Sequence, residues 1–202
     1  MTARDDLSQR VVLRPGAVPI PAWWPHRSRS ALLEAMALNA AEVGFVNSRV
    51  EDVVVRAHAS RRTFYAHFDN REQCLLAAHA AVADDAFMAT ADPDPQVALG
   101  RLMRYLAAWP AHAQLLVGDV VAVGPAGQAR HEETMERLAV RLAAWAPDAA
   151  RARGARGDEL AHARFGALAR LVQRAVLTGQ YRTLPRLTPV LTELATREDP
   201  SA

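Results

Sequence analysis

Lysine is absent from this chain, and all 24 of its basic residues are arginine. The absence excludes Schiff-base chemistry and the lysine of a phosphate-binding loop. Cys74 is the only cysteine, so an intrachain disulfide and a catalytic thiol pair are excluded as well. After Ser60 the only serine is Ser201, which leaves most of the chain without a seryl nucleophile. We therefore predict that the protein is not an enzyme and that it needs no cofactor.

Patterns of metal ligands are also scarce. The segment His131–Met135 lacks the second histidine that a zinc-binding helix requires. His79, Asp84 and Asp85 come closest to a cluster, but their spacing distributes them around a helix. We interpret them as part of a solvated acidic face, and the sequence predicts no metal site.

Long hydrophobic runs are missing. The longest apolar stretches, such as residues 115–123, are short and contain Asp119, so we predict no segment that crosses a membrane. Residues 1–10 lack the hydrophobic region of a signal peptide. We expect a cytoplasmic protein that does not bind membranes.

The apolar residues that are present follow a helical period. They make up 50% of the chain, and no stretch of any length alternates with the period of a strand. The spacing predicts helices over 28–43, 70–90, 96–108, 111–123, 126–146, 157–179 and 187–197. The prolines before residue 28 favour an extended arm over 1–27, and we leave open whether Arg29, next to it, reaches DNA.

Residues 48–72 predict two short helices joined by a tight turn. Ser48 and Glu51 have the spacing of a capping box, and Ser60 offers a second N-cap. Phe64 and Phe68 lie four residues apart as a buried stripe. The opposite face carries polar and basic side chains: Arg61, Arg62, Thr63, Tyr65 and His67. A short helix with such a free face suits the major groove of DNA.

Positive charge is concentrated in this segment. The formal net charge of the whole chain is only +2, so no basic tail is available for nonspecific binding to nucleic acid. Local arginines such as Arg49, Arg61 and Arg62 favour a short footprint on DNA.

The run Ser60–Phe68 (SRRTFYAHF), followed by Asn70-Arg71-Glu72, resembles the TetR family of bacterial transcription regulators. Gly44-Phe45 and Val50–Val53 match the approach to the second helix of that family. His58 departs from the pattern, because it stands where the family usually has a turn glycine. The resemblance implies a homodimer that binds an inverted-repeat operator in double-stranded DNA.

With this resemblance we predict an N-terminal arm (1–27), a three-helix helix-turn-helix DNA-binding domain (28–76) and a C-terminal helical domain for effector binding and dimerisation (77–202). Arg61 and Arg62 are expected to read bases, whereas Tyr65, His67 and Arg71 are expected to hold phosphates. The full set of predicted DNA-binding residues is Arg29, Ser48, Arg49, Ser60, Arg61, Arg62, Thr63, Tyr65, His67 and Arg71.

The resemblance also implies roles for the C-terminal helices. In the family, several C-terminal helices enclose an effector cavity. The residues of this chain on the corresponding helices are Tyr105, Trp109, Met135, Trp145 and Phe165. These mostly apolar side chains imply a small apolar effector. Helices 157–179 and 187–197 correspond to those that pair in the family dimer. Their predicted interface residues are Leu168, Leu171, Val172, Ala175, Leu187, Leu191 and Leu194. For both sets the alternative is ordinary packing of the monomer core.

We therefore expect an all-α, sequence-specific DNA-binding regulator, a repressor released from its operator by a small organic ligand. A helical interaction protein that keeps the fold but has lost specific DNA binding is the alternative, and His58 in the turn favours it.

Overall fold

The structure is a computed structural model, which describes residues 25–145 and 155–196. Nine α-helices lie in these ranges: α1 (Pro25–Val43), α2 (Val50–Arg56), α3 (Arg61–His67), α4 (Arg71–Ala89), α5 (Pro95–Ala108), α6 (Pro110–Val117), α7 (Pro125–Ala143), α8 (Ala155–Leu177) and α9 (Thr188–Thr196). Single 3-10 segments span Phe45–Asn47, Asp119–Val123 and Tyr181–Leu187. The described ranges contain no strand, and the predicted all-α class is confirmed.

Local sequence signals fix most of the helix ends. Gly44 ends α1 at a φ of 77°, a left-handed conformation that costs glycine little. The Asn70 side chain accepts a hydrogen bond from the Gln73 amide at the start of α4. Asp94 caps α5 in the same way, with proline at the first position of the helix.

The two predicted caps of the helix-turn-helix have different outcomes. The Ser60 side chain accepts a hydrogen bond from the Thr63 amide at 3.0 Å, so the predicted N-cap of α3 is confirmed. The capping box at Ser48 is wrong, because α2 starts one residue later and Arg49 is its N-cap. The Ser48 hydroxyl is fully buried and donates to the Gly44 carbonyl at 3.1 Å. This buried side chain cannot contact DNA, which also corrects its place among the predicted DNA-binding residues.

Two boundaries differ from the sequence prediction. The helix expected over 111–123 divides at Gly118 into α6 and a 3-10 segment. The helix α1 starts at Pro25, inside the predicted arm, and the rest of that arm lies outside the described residues. The predicted break at Pro147-Asp148 lies outside them too.

A continuous apolar core joins the N-terminal helices to the rest of the chain. Phe64 of α3 and Leu32 of α1 are fully buried in the first part of this core. The helix α6 packs against both α1 and α4, so the C-terminal helices contact the first helix directly. None of the helices in the described ranges has the length and apolar character needed to cross a membrane.

One glycine marks a close approach between elements. The helix α7 packs on the 3-10 segment Asp119–Val123. A Cβ atom at Gly127 would lie 1.9 Å from the Val120 carbonyl oxygen, so only glycine fits at this position. The contact holds α7, which forms one wall of the cavity described below.

Candidate nucleic-acid interface and apolar cavity

The helix α3 presents one buried face and one free face. Phe64 is fully buried and lies against Phe68, with ring centroids 5.6 Å apart. Arg61, Arg62 and Tyr65 are exposed on the opposite side, Tyr65 by 49%. The anchored apolar face fixes the direction in which the exposed side chains point, as a helix that enters a DNA groove requires.

The two arginines of α3 differ in their surroundings. Arg61 forms an ion pair with Glu51 of α2 at 2.6 Å, and its guanidinium lies 5.9 Å from the centre of the Tyr65 ring. Arg62 is exposed and forms no hydrogen bond or ion pair with the described part of the chain. Arg62 is thus available to a ligand without loss of an internal contact, whereas Arg61 must first leave Glu51.

The turn between α2 and α3 forms in spite of its histidine. His58 adopts a φ of 50°, the only positive φ of a non-glycine residue in the described ranges. A side chain in this conformation costs on the order of 1 kcal/mol relative to glycine. The amide of Ala59 still donates to the Val54 carbonyl at 2.9 Å, so the turn is closed. The departure at His58 therefore leaves the helix-turn-helix geometry in place.

Arg71 has an internal role that the sequence does not predict. Its Nη1 donates to the carbonyl oxygens of Phe45, Val46 and Ser48 at 3.3, 3.1 and 2.7 Å. The guanidinium also lies 4.9 Å from the centre of the Phe45 ring. These contacts tie the start of α4 to the loop before α2. The expected phosphate contact of Arg71 stays a prediction, because these bonds use Nη1 and the side chain is still 33% exposed.

The remaining predicted DNA-binding side chains lie around α3. Arg29 is exposed at the start of α1, with its guanidinium 5.4 Å from the centre of the Phe68 ring. Arg49 is exposed at the N-terminus of α2, and His67 is half-buried at the end of α3. The Thr63 hydroxyl is engaged with Ser60 at 2.9 Å. The structure thus brings Arg29, Arg49 and the α3 arginines to the surface, while Ser60 and Thr63 serve the cap.

An apolar cavity of about 290 Å³ lies between the C-terminal helices. Met135 and Phe165 line it, as the resemblance implies. Its other walls come mainly from leucines and methionine of α5, α7 and α8, including Leu102, Met103, Leu106, Leu138, Leu142 and Leu168. His131, Arg170 and Gln173 add the polar groups. A mostly apolar cavity with few polar groups suits a small organic molecule.

Three of the five predicted cavity residues are absent from the cavity wall. Trp145 packs at the edge of the core after α7. Tyr105 and Trp109 instead contact His112. The tyrosine hydroxyl and Nδ1 of His112 share a hydrogen bond of 2.9 Å, and the Trp109 ring stacks on the imidazole at 4.9 Å. Both aromatic residues face the junction with α1, which corrects their expected role as cavity walls.

This junction is a buried polar cluster between α1, α4, α5 and α6. His112 is 1% exposed, and its Nε2 lies 4.0 Å from a carboxylate oxygen of Glu34. Burial lowers the pKa of His112 to about 4 and raises the pKa of Glu34. Burial, with the charge of Asp85 second, also raises the pKa of Tyr105. A hydrogen bond between Tyr105 and His112, and the approach of His112 to Glu34, therefore place polar groups between the first helix and the C-terminal helices.

The lone thiol is not a reactive group. Cys74 is fully buried in α4, and its Sγ lies 3.8 Å from the Leu32 carbonyl oxygen. Burial raises the pKa of the thiol to about 12, against a smaller opposing effect of Arg29. A protonated, buried thiol is poorly nucleophilic.

The predicted dimer residues divide by exposure. Leu168, Ala175 and Leu191 are buried inside the chain, so they belong to the monomer core rather than to a free surface. Half-buried residues that pack against the same core are Leu171, Val172, Leu187 and Leu194. The expected interface assignment is corrected for the three buried residues, because they lie in the core where helices α6, α7 and α9 pack on α8.

A different face of α8 is exposed among the described residues. Residues 163, 166, 167, 170, 174 and 177 are exposed at helical spacing and comprise Ala163, Gly166, Ala167, Arg170, Arg174 and Leu177. We name these six residues the α8 stripe. Leu177 is 67% exposed, which is unusual for a leucine of a helix. The small residues of the α8 stripe and Leu177 follow the helical period, and this pattern is present in the sequence. The predicted interface leucines follow the same period, so the pattern alone does not separate the two faces.

The short helices α2 and α3, closed by the His58 turn and held on α1, define a helix-turn-helix DNA-binding unit followed by a helical domain with a cavity. Residues 31–78 match the family described as "Bacterial regulatory proteins, tetR family". The sequence has no match among the curated proteins.

Solved structures share the fold over most of the chain. FadR from Bacillus subtilis, solved in complex with stearoyl-CoA, is 16% identical with a TM-score of 0.67, over 83% of this chain and 97% of that one. FadR from Bacillus halodurans is 16% identical with a TM-score of 0.64, over 89% and 96%. A transcriptional regulator from Aquifex aeolicus VF5 is 17% identical with a TM-score of 0.60, over 82% and 96%. Residues 31–78 thus match the TetR family, the solved structures share the fold of most of the chain, and DNA-binding regulation of transcription is the function that these findings support.

Proposed function

We propose that the protein is a sequence-specific repressor that leaves its operator when a small organic ligand binds in the apolar cavity. The observation that carries this proposal is the direct packing between the two sites. The helix α6 contacts α1 of the helix-turn-helix, and α4 runs from the helix-turn-helix to the cavity region. A ligand that moves these helices changes the position of α3.

Base reading is assigned first to Arg62. Its side chain is exposed and has no internal partner in the described ranges, so it reaches a guanine edge without breaking a contact. Arg61 reads an adjacent base after leaving Glu51, and Tyr65 with Arg49 contacts phosphates. Arg62→Ala should cost roughly 1–3 kcal/mol on the specific site and relax sequence preference.

The dimer interface is assigned to the α8 stripe together with the free face of α9. Alanine and glycine at positions 163, 166 and 167 allow a second helix to approach closely. Val190 of α9 is 47% exposed and, like Leu177, supplies apolar area. Glu193 is exposed on α9 and offers a charge partner for Arg170 or Arg174 of a second copy. A two-fold dimer places two α3 helices on an inverted repeat, about one turn of DNA apart, roughly 34–36 Å.

The route between the sites has two arms. Arg71, at the start of α4, holds three carbonyl groups of the loop before α2, so a shift of α4 moves that loop. The contacts of His112 with Tyr105 and Glu34 connect α6 to α5 and α1. Helix α6 lines the cavity at Leu116 and Val117, and α4 packs on the cavity helices α5 and α7, so a ligand that moves the cavity walls should move both arms. Ligand and operator must then oppose each other by the same coupling free energy, typically ~1–3 kcal/mol.

A long-chain acyl group is one apolar molecule of the kind that the cavity accepts. The structurally similar Bacillus subtilis FadR was solved with stearoyl-CoA, and the cavity here is lined mainly by leucine and methionine side chains. An acyl thioester is therefore a sensible first ligand to test beside simpler alkyl compounds.

Selection from random duplex DNA tests the proposal. Wild-type protein should enrich an inverted repeat, and Arg62→Ala should lose preference at a symmetric pair of positions within it. A gel shift with the DNA upstream of its own gene gives a second measure. Enrichment of no sequence would favour the alternative, a helical interaction protein without specific DNA binding.

A further inference from the structure

The apolar cavity opens to solvent at an edge of α8. Among the described residues that line the cavity, only Gly166 and Arg170 are exposed. The other lining residues, from α5, α6, α7, α9 and the rest of α8, are buried or half-buried. A ligand that fills the cavity therefore has one end beside Arg170.

A neighbouring amide holds the Arg170 side chain at this opening. Its Nη1 donates a hydrogen bond to Oε1 of Gln173 at 3.0 Å. Nε2 of Gln173 in turn donates to the Val117 carbonyl oxygen of α6 at 3.5 Å, and both Gln173 and Val117 line the cavity. The guanidinium thus lies against a side chain of the cavity wall. The bond to Gln173 uses one of its five N–H donors, which leaves donors for a ligand.

The charge at the opening is positive. Within the described ranges no acidic side chain lines the cavity, and Arg170 is the one arginine among the lining residues. Burial lowers the pKa of His131, against opposing effects of the Leu116 backbone and Glu132, so this ring is mostly neutral near pH 7. The cavity therefore combines an apolar interior with a full positive charge at its exposed edge.

We propose that the cavity selects an amphipathic anion, whose alkyl chain fills the apolar interior and whose carboxylate or phosphate group binds Arg170 at the opening. A guanidinium binds either group through two parallel hydrogen bonds. The anion keeps part of its hydration at the exposed edge, so it avoids the cost of burying a charge in the interior. Gln173 positions the guanidinium. The inference rests on the proposed function, since it names the class of ligand for the same cavity.

The opening adjoins the proposed dimer interface, because Gly166 and Arg170 also belong to the α8 stripe. Arg174 lies one turn further along α8 and does not line the cavity. We assign Arg174 to Glu193 of a second copy, which leaves Arg170 to the ligand. Sedimentation of each variant below checks that its dimer is unchanged.

Probes with the same decyl chain and different head groups test the inference: decan-1-ol, decanoate and decyl phosphate. Calorimetry on the full-length protein gives the dissociation constant of each. The ratio of anion to alcohol cancels the contribution of the shared chain. Arg170→Gln should shift this ratio against the anions at least about fivefold relative to wild type, because a charge-assisted contact is lost. Binding of decan-1-ol itself should change by less than about twofold, because the alcohol makes no ion pair. The two anions separate a carboxylate from a phosphate ligand.

Three further variants separate this contact from a general effect on the helix. Gln173→Glu is nearly isosteric and should shift the ratio in the same direction, because its carboxylate pairs with Arg170 and repels the anion. Arg170→Lys should retain part of the preference, since it keeps the charge without the planar fork. Arg104→Gln is the matched control, because Arg104 is an exposed arginine of the cavity helix α5 that does not line the cavity, and it should bind all probes like wild type.

The outcomes distinguish this inference from the proposed function. A ratio that Arg170→Gln and Gln173→Glu leave unchanged for both anions overturns the anion contact, while the apolar cavity stands as a ligand site. Failure of all three probes to bind overturns the inference and the proposed apolar ligand together. An anion that binds through Arg170 without an effect on operator affinity supports the inference and overturns release by ligand.

Discussion

Replacement of Arg71 separates a structural role from a DNA contact. Its Nη1 donates to the Ser48 carbonyl at 2.7 Å, while the bonds to Phe45 and Val46 are longer, at 3.3 and 3.1 Å. The side chain is 33% exposed, so water replaces part of what an alanine removes. We count the one short, charge-assisted bond at about 1.5 kcal/mol and the contact with the Phe45 ring at about 0.5 kcal/mol.

Arg71→Ala should therefore lower the free energy of unfolding by about 2 kcal/mol, the sum of these two contributions. For a chain of this size the melting temperature should fall by roughly 4–8 °C. Differential scanning calorimetry measures the change, and denaturant titration gives the free energy. Arg71→Lys should recover little, because lysine lacks the planar fork.

Arg62→Ala is the matched control, since Arg62 is an exposed arginine of the same domain without an internal partner in the described ranges. It should melt like wild type yet bind the selected operator weakly. The reasoning about Arg71 is refuted if Arg71→Ala melts like wild type while its binding to every DNA sequence weakens and the salt dependence loses a slope of about 1. That pattern would assign Arg71 to a phosphate contact.

Three other predictions concern packing, pH and assembly. Gly127→Ala should clearly lower the melting temperature in calorimetry, because its Cβ would lie 1.9 Å from the Val120 carbonyl oxygen. Gly100→Ala is the control and should melt nearly like wild type, because its Cβ would contact only side chains, at 3.3 and 3.6 Å. Burial lowers the pKa of His79 and His112 to about 4, whereas a histidine of the unfolded chain has a pKa of about 6.5. Between these two values the unfolded state binds more protons, so the free energy of unfolding should fall as the pH drops from about 6.5 to about 4. Glu34 and Asp85, whose pKa values are raised, oppose this where they titrate; the test is therefore that His79→Leu loses less stability than wild type over the same range. Leu177→Arg should give monomers in sedimentation at micromolar concentration, while Val140→Arg, at an equally exposed position of α7, should sediment like wild type.

The sequence predicts the helices well because their ends are set locally. Each of these signals involves residues that are close in the sequence: the Ser60 cap, the glycine end of α1 at Gly44, and the pair Phe64 and Phe68. Such signals are readable without knowledge of the tertiary fold. The failure at Ser48 shows the limit, because its spacing from Glu51 fits a cap while burial assigns its hydroxyl to Gly44.

Local sequence patterns do not predict contacts between residues that are distant in the chain. Arg71 contacts carbonyl groups 23 to 26 residues earlier, and no local pattern distinguishes that role from a phosphate contact. Tyr105 and Trp109 are aromatic residues of the kind that line apolar cavities. In the structure they contact the polar ring of His112 and lie at the junction with α1 instead. The isolated histidine in the apolar helix α6 is the sequence signal for this junction.

Leucine content alone also misplaces the free surface. Leu168 and Leu191 have helical spacing, yet both are buried in the chain, whereas Leu177 is exposed. Both kinds of face follow the same helical period, and only the packing of α6, α7 and α9 on α8 decides which face is covered.

Fluorescence anisotropy of a selected operator duplex, with and without saturating ligand, tests the central claim most directly. The account predicts that ligand weakens operator binding by about 5- to 150-fold, the range of a coupling of 1–3 kcal/mol, and that the operator weakens ligand binding by the same factor. A ligand that fills the cavity but leaves operator affinity unchanged, or strengthens it, would contradict release by ligand.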